Sequence, residues 1–434
     1  MSFRGKIWVL VLSGAIAIYA VIGGLPLVGS LLTTQAQQPV NDPGAQLRIV
    51  ESVLQHIQND YVDEPNMEKV RVGALRGLAS GLDPYSSYLT PEQVKEYQAG
   101  TFASKAGIGA ELSQVAGFVY IISAPTGSPA EKAGIKSGDV VEYIDSKATR
   151  DISLYDARQL LSGDAGSVVG LRVLRSGEKP QTIKVTRGSF KAPTAESRIE
   201  SGKIGIIKVN SLDTGEAADI RSQLGSLTKQ GAQKIILDLR GVAGGTLEEG
   251  AAVANLFIKD GDLAKVVGRE GKVTRTITAD PAKAAFAGEM AVLTSVGTAG
   301  AAEVVAAAVA ERKRGEVIGE RTFGSGTDQQ LFTMSSGGGY LLTVAKWASP
   351  GGTPFFGDDR NSMGVKPSIE VKRPDTPEPL DVEDMVDKQK TDGQNPQATP
   401  TPAPKVKPAV TEDIQLKKAL EVLGDRSQST KSVG

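Results

Sequence analysis

The chain of 434 residues contains no cysteine and a single histidine, His56. Without thiols there are no disulfides, no iron–sulfur clusters and no thiolate zinc sites, and the redox compartment is left unmarked. One histidine excludes a histidine-rich metal centre and argues against a Ser-His-Asp triad. His56 lies in a helical segment and reads as a helix-surface or boundary residue. No metal and no cofactor are expected. An excess of either charge is also missing, with 49 basic and 50 acidic side chains. There is therefore no electrostatic reason to expect nucleic acid as a partner.

What is present is enough chain for two or three domains with ordinary cores. Arg4 and Lys6 precede an uncharged run from Ile7 to Leu32. As a helix rising ~1.5 Å per residue, that run covers roughly 39 Å, enough to span a bilayer. A positive start and an apolar run fit either an uncleaved anchor or a long signal sequence cut near Thr34-Gln35-Ala36. The length favours the anchor. Either reading sends the rest of the chain out of the cytoplasm, as a single-pass membrane protein whose bulk is periplasmic or otherwise extracytoplasmic.

After the polar turn Asn41 to Gly44, Leu47, Val50, Val53, Leu54 and Ile57 recur at helical spacing, and a second helix is predicted over Met67 to Ser80. From about Ala103 to Ser189 the composition shifts to short apolar strands and Gly-rich turns. Strand and helix then alternate between Lys203 and Ile258, where a buried strand runs into Asp238-Leu239-Arg240-Gly241-Val242-Ala243-Gly244-Gly245-Thr246. The stretch around which the rest is organised is Ala291 to Gln330. An apolar strand there enters a small-residue turn at Val296 to Gly300, and an Ala/Val-rich helix follows from about Ala302 to Arg312. A strand, a tight turn and a helix N-terminus set backbone N–H groups where a nucleophile or an oxyanion can sit. From Arg373 to Pro408 the chain is rich in Pro, Thr, Gln and Asp and reads as a linker or disordered tail, with one short amphipathic helix at Ile414 to Leu423.

Several of these stretches resemble the C-terminal-processing (tail-specific) serine peptidases. Gly81-Leu82-Asp83-Pro84-Tyr85-Ser86-Ser87-Tyr88-Leu89-Thr90-Pro91 is similar to the family's passage from its N-terminal helices to its PDZ domain. Lys105 to Leu112 resembles a PDZ carboxylate-binding loop, and the strand, turn and helix pattern to Thr186 completes such a domain. Gly297-Thr298-Ala299-Gly300-Ala301-Ala302-Glu303 and Thr322-Phe323-Gly324-Ser325-Gly326 are similar to the motifs that carry the family's serine nucleophile and lysine base. The resemblance puts the nucleophile position at Gly300 and the base position at Ser325, and neither residue type can serve there. Glu303, the Lys313-Arg314 pair, Gly319-Glu320 and Gln329 match the family's frame. The 238–246 stretch resembles the element that supplies an oxyanion N–H, a role the resemblance gives to Gly245.

The implied fold class is α+β and multidomain: a membrane anchor or signal segment (1–40), an N-terminal helical region (41–102), a PDZ β-barrel-like domain (103–190), an α/β crotonase-like layered peptidase-type core (191–372), and a Pro-rich, disordered C-terminal tail with a short helix (373–434). In the PDZ reading, N–H groups of the Gly107-Ile108-Gly109-Ala110 loop form a nest for a terminal carboxylate, a peptide adds as a strand, and Leu154 and Arg158 face it from the opposite helix. The function expected is that of a non-catalytic family member that binds protein or peptide C-termini at the cell envelope. The alternative is an active serine endopeptidase with a relocated nucleophile at Ser295 or Ser325. Against it, no histidine or lysine is local in sequence to serve as base, since Lys313 and Lys346 match family lysines with other roles.

Overall fold

The structure, a computed structural model, describes residues 43–100, 105–200, 203–359, 362–374 and 412–429. The candidate anchor at Ile7 to Leu32 and residues 375–411 of the tail lie outside the described residues. The chain divides into two units, residues 1–73 and 74–434. The first contains helix α1 (Pro43–Asp60), on which Leu47 and Val53 stand exposed. His56 is also exposed there and its Nδ1 lies 2.6 Å from Asp60 Oδ2 one turn on, which fits its reading as a surface residue. Helix α2 (Met67–Ser80) follows.

In the second unit, β1 (Ser87–Leu89) leads into α3 (Pro91–Gln98). Thr90 caps α3 reciprocally with Gln93, and Pro91 sits where a helix has no use for its N–H. The next elements are β2 (Glu111–Val115), β3 (Phe118–Ser123), α4 (Pro129–Lys132), β4 (Val140–Ile144), β5 (Lys147–Ala148), α5 (Leu154–Leu161), β6 (Val168–Leu174) and β7 (Gln181–Thr186). They form an antiparallel sheet in the order β2-β3-β4-β6-β7, with β5 beside β4. Ile121, Ile144 and Leu171 of the sheet close with Leu154, Ala157 and Leu161 of α5 around one apolar cluster.

The remaining chain builds β8 (Glu196–Glu200), β9 (Ile204–Lys208), α6 (Glu216–Lys229), β10 (Lys234–Asp238), α7 (Leu247–Asn255), β11 (Asp262–Val267), β12 (Val273–Thr278), β13 (Glu289–Thr294), α8 (Ala301–Glu311), β14 (Glu316–Gly319), β15 (Thr327–Thr333), β16 (Gly339–Ala348), β17 (Ile369–Glu370) and α9 (Ile414–Ser429). One sheet has the order β17-β14-β13-β10-β9-β8 and is parallel except at β8. Its central strands β9, β10 and β13 are apolar on both faces, as a covered parallel sheet requires. Ile207, Ile235, Leu237, Val292 and Val317 pack beneath α6, α7 and α8, while the alternate residues Ile206, Ile236, Ala291, Leu293 and Ile318 pack beneath α9. A second sheet joins β1, β16, β11 and β12 in that order, with β15 also on β16.

The helix expected at 414–423 therefore runs further, to Ser429, and is docked. Ala419 and Leu423 are fully buried against the parallel sheet, and Leu416 and Leu420 flank them. Full burial of Leu423 contributes about 1.5–3 kcal/mol. That partner surface is assembled from strands far away in the chain.

Candidate active site

Three turns converge beyond the carboxyl ends of β10, β13 and β14. Thr294 ends β13, and its Oγ1 donates to the Glu320 carbonyl at 2.8 Å. In the turn that follows, Thr298 Oγ1 donates to the Leu239 carbonyl at 2.8 Å and accepts from Ser295 N–H at 3.0 Å. Ala299 N–H donates to the Val242 carbonyl at 2.9 Å, and Phe323 N–H to the Thr298 carbonyl at 2.9 Å. The 295–300 turn is thus stitched to both neighbours.

Gly300 begins α8 with φ 58° and ψ −118°. This conformation is strained for any residue with a Cβ and free for glycine. A Cβ placed on Gly300 would lie 3.3 Å from the Gly244 carbonyl oxygen and 3.7 Å from both Gly244 N and Ser325 Oγ. The two positions that the sequence pairs across 25 residues are therefore neighbours.

Glu303, fully buried on the first turn of α8, holds the assembly together. Its carboxylate accepts from Gly300 N–H at 2.9 Å, Gly324 N–H at 2.7 Å, Ser325 N–H at 2.8 Å and the Thr322 hydroxyl. Burial pushes its pKa up to about 7 although all four donors favour the charged form. Desolvation outweighs them. The Gly300 N–H is consumed by this contact.

Gly245, to which the resemblance gives an oxyanion role, follows directly on Gly244, the residue that borders Gly300. A Cβ on Gly245 would point at the Leu212 carbonyl, so this residue packs against the 212 backbone. The glycine beside Gly300 is Gly244, and its carbonyl accepts from Ala301 N–H at 3.3 Å. The Gly244 nitrogen stands beside that carbonyl, 3.7 Å from the Cβ position of Gly300, so one acceptor and one donor of the same residue border it. Gln329 is also engaged elsewhere, with Nε2 donating to Thr327 Oγ1 at 2.7 Å and Thr343 Oγ1 at 3.3 Å. Ser325 Oγ has no hydrogen-bond partner among the described residues. Ser295 is buried, and its Oγ accepts from Gly241 N–H at 3.1 Å and Gly297 N–H at 3.3 Å. Among the described residues no lysine or histidine bonds to either serine.

The antiparallel domain lies directly over these turns. Tyr120 stacks on Phe323 with ring centroids 5.3 Å apart, and Ile122 joins Ala243, Ala299 and Phe323 in one apolar cluster. Ser123 Oγ donates to the Gly241 carbonyl. A Cβ on Gly244 would meet Glu111 Oε1 at 3.0 Å. Burial holds the Glu111 carboxyl above its ordinary range, with Arg158 opposing the shift.

In the loop before β2, Gly107 N–H is taken by the Gly188 carbonyl, and the Ile108 carbonyl accepts from Ala130 N–H at 2.8 Å. The N–H groups of Ile108, Gly109 and Ala110 have no partner among the described residues. Gly109, at φ +66°, leaves no room for a Cβ, which would sit 3.0 Å from Ser128 Cβ and 3.2 Å from the Phe190 ring. Leu154 departs from expectation by filling the domain's core, whereas Arg158 is exposed on α5. Tyr85 reaches in from the preceding segment, bonds Ser113 Oγ on β2 at 3.2 Å, and is pushed up to about 12 by burial.

A model described as Peptidase family S41 matches residues 203–371, and one described as PDZ domain matches residues 120–175. The carboxy-terminal processing protease CtpA of Bacillus subtilis (strain 168) is 33% identical over 323 residues, covering 74% of this chain and 68% of that protein. The chain belongs to the C-terminal processing peptidase family. A probable CtpA-like serine protease of Staphylococcus aureus (strain MRSA252) is 31% identical over 368 residues, covering 84% of this chain and 72% of that protein. Among solved structures, the photosystem II D1 C-terminal processing protease superposes with a TM-score of 0.62 at 28% identity, covering 75% of this chain and 93% of that one.

As a C-terminal processing family member the chain keeps the layered core and the PDZ domain. Two residues that shape the site were not assigned a role from sequence. Glu303 was visible only as a frame match, although a Glu at the third helical position is the signature of a capping interaction. Here only the Glu303 half exists, because glycine has no side chain to return the bond. Glu111 carried no local signal, since its contact with Gly244 joins segments more than a hundred residues apart.

Proposed function

We propose that this chain is a non-catalytic member of the C-terminal processing family that binds protein C-termini through its PDZ domain, anchored in a membrane with its bulk outside the cytoplasm. The observation that carries the reading is the surrounding of Gly300. A side chain there would face the Gly244 carbonyl and the Ser325 hydroxyl, and no amine. A serine hydroxyl without a base is a poor nucleophile at neutral pH, and loss of a whole dyad removes orders of magnitude in rate. Binding is supported by the unengaged N–H groups of Ile108, Gly109 and Ala110 beside the open edge of β2, with Arg158 on the facing helix. The membrane placement rests on the uncharged run Ile7 to Leu32. No helix among the described residues is long and apolar enough to cross a membrane.

The deciding experiment is fluorophosphonate labelling together with hydrolysis of unstructured peptides by the purified protein. Neither label nor cleavage is expected, and Gly300→Ser alone should add little. Gly300→Ser with Ser325→Lys restores both groups, and its activity depends on whether the Gly244 carbonyl can turn away. Robust, inhibitor-sensitive cleavage by the unmodified protein, with label on Ser295 or Ser325, would falsify the reading. For the PDZ domain, peptides with a free apolar C-terminus should bind and amidated ones should not; equal binding would remove the carboxylate nest.

A further inference from the structure

At the far end of α8 from Gly300 lies a cleft of about 520 Å³ that none of the site residues touches. The 11 residues of α8 separate the two places by about 16 Å. Phe257 and Phe286 meet edge to face in its wall, with centroids 6.4 Å apart, and alanine methyls extend the apolar surface. Lys259, Arg312 and Arg314 bring three cations to the cleft against one carboxylate, Asp260.

Arg314 is the telling residue. It is only partly exposed, and its hydrogen bonds all go to neutral carbonyls: Nε to Phe257 at 2.7 Å, and Nη2 to Phe286 at 3.1 Å and Gly288 at 2.6 Å. Among the described residues no carboxylate lies within ion-pair distance of it, and Nη1 has no partner. Arg312 is the only cation of the three that is ion-paired among the described residues, at 3.5 Å from Asp260 Oδ1 on the exposed rim. A desolvated guanidinium without a counter-charge raises the energy of the empty cleft, and burial lowers its pKa from the ordinary value. Its orientation is already fixed by three bonds, so an anion meeting it causes little further loss of side-chain entropy.

We propose that this cleft is a second binding site, for a carboxylate carried on a small apolar body. The guanidinium and the two rim cations take the carboxylate, and the Phe257–Phe286 wall takes the apolar part. The volume is that of a small-molecule site. A bare inorganic anion would leave the aromatic wall uncovered. The carboxylate can belong to a free peptide end or to a small aromatic acid, and the same chemistry serves both.

The test is titration calorimetry of the detergent-solubilised full chain with N-acetyl-phenylalanine, its amide, phenylacetate and inorganic phosphate. The acids should bind, and the amide and phosphate should be at least tenfold weaker. Tighter binding of N-acetyl-phenylalanine points to a peptide end, and tighter binding of phenylacetate to a small acid; either ranking supports the site. Lys259→Ala with Arg312→Ala should weaken the acid at least threefold without touching the three carbonyl bonds of Arg314. Arg158→Ala separates the two sites: it acts on uptake of the acid by the PDZ loop, while the binding that the rim variant weakens should persist in it. Equal binding of acid and amide, phosphate binding as tight as the acid, no binding at millimolar concentration, or loss with Arg158→Ala instead of the rim variant would each overturn the proposal.

Discussion

Gly300 retains a backbone shape that costs any other residue about 1–3 kcal/mol. Gly300→Ala should therefore destabilise the protein by roughly that amount, with an addition from the Gly244 carbonyl 3.3 Å from the new methyl. Urea denaturation checks this, and an unchanged midpoint would mean that the turn relaxes. Glu303 supports a pH prediction. Its folded pKa of about 7 stands above the ordinary carboxylate value near 4.5, so the native state holds more protons than the unfolded state between those values. This group's contribution is full below pH 4.5 and is lost as pH rises toward 7. Glu303→Gln should flatten stability across that window. Below pH 4.5 it should also lower stability by about 2–4 kcal/mol, because an amide NH₂ cannot accept from the N–H groups it would face, and the gap to the native protein should narrow as pH rises toward 7. A variant with the native slope would show that another group titrates. At this scale the sequence was readable where a residue type is itself the statement, as glycine at 300 and serine at 325 are. It was silent on Gly244, because which way a peptide unit points is set by the three turns together.

Among the elements, the apolar strands at 204–208, 234–238 and 289–294 were legible because continuous Ile, Val and Leu runs have few other uses. The docking of α9 was not, since its leucines mark an apolar face without naming what covers it. The structure supplies both the surface and a clamp. Arg240 donates to Asp238 at 2.8 and 2.6 Å and to Asp413, before α9, at 2.8 Å through each Nη nitrogen. Asp238 is buried, so Arg240→Ala would strand its charge and should cost about 3–5 kcal/mol. Asp413 is 40% exposed at its side chain, and Asp413→Asn should cost no more than about 1 kcal/mol. Chemical denaturation of the two variants tests this ordering; equal losses would mean that the clamp acts as one unit. Leu423→Ala should cost about 2–5 kcal/mol, and a loss much below that would mean α9 is not held by its apolar face.

For the whole molecule, the run at 7–32 predicts that cell fractionation leaves the chain in the membrane pellet after a high-salt wash, because apolar insertion is not screened. Recovery of a soluble form beginning near Gln37 would mean a cleaved signal. That a PDZ domain precedes the peptidase-type core was legible in the resemblance of their motifs; the seating of the PDZ domain on the 241–244, 295–300 and 322–325 turns was not, because Tyr120, Ser123 and Glu111 look like ordinary strand residues. The pairing of β1 with β16 was equally invisible, and it bears on how the molecule is made. Ser87 lies opposite Leu341, roughly 250 residues later. A chain emerging N-terminus first at 5–20 residues per second offers β1 its partner only after roughly 10–50 s. The PDZ residues, contiguous between the two, can close their sheet in that interval, while a strand of three residues is too short to recruit stray partners as it waits. In this timetable the sheet that ties the beginning of the domain to its end is among the last to form.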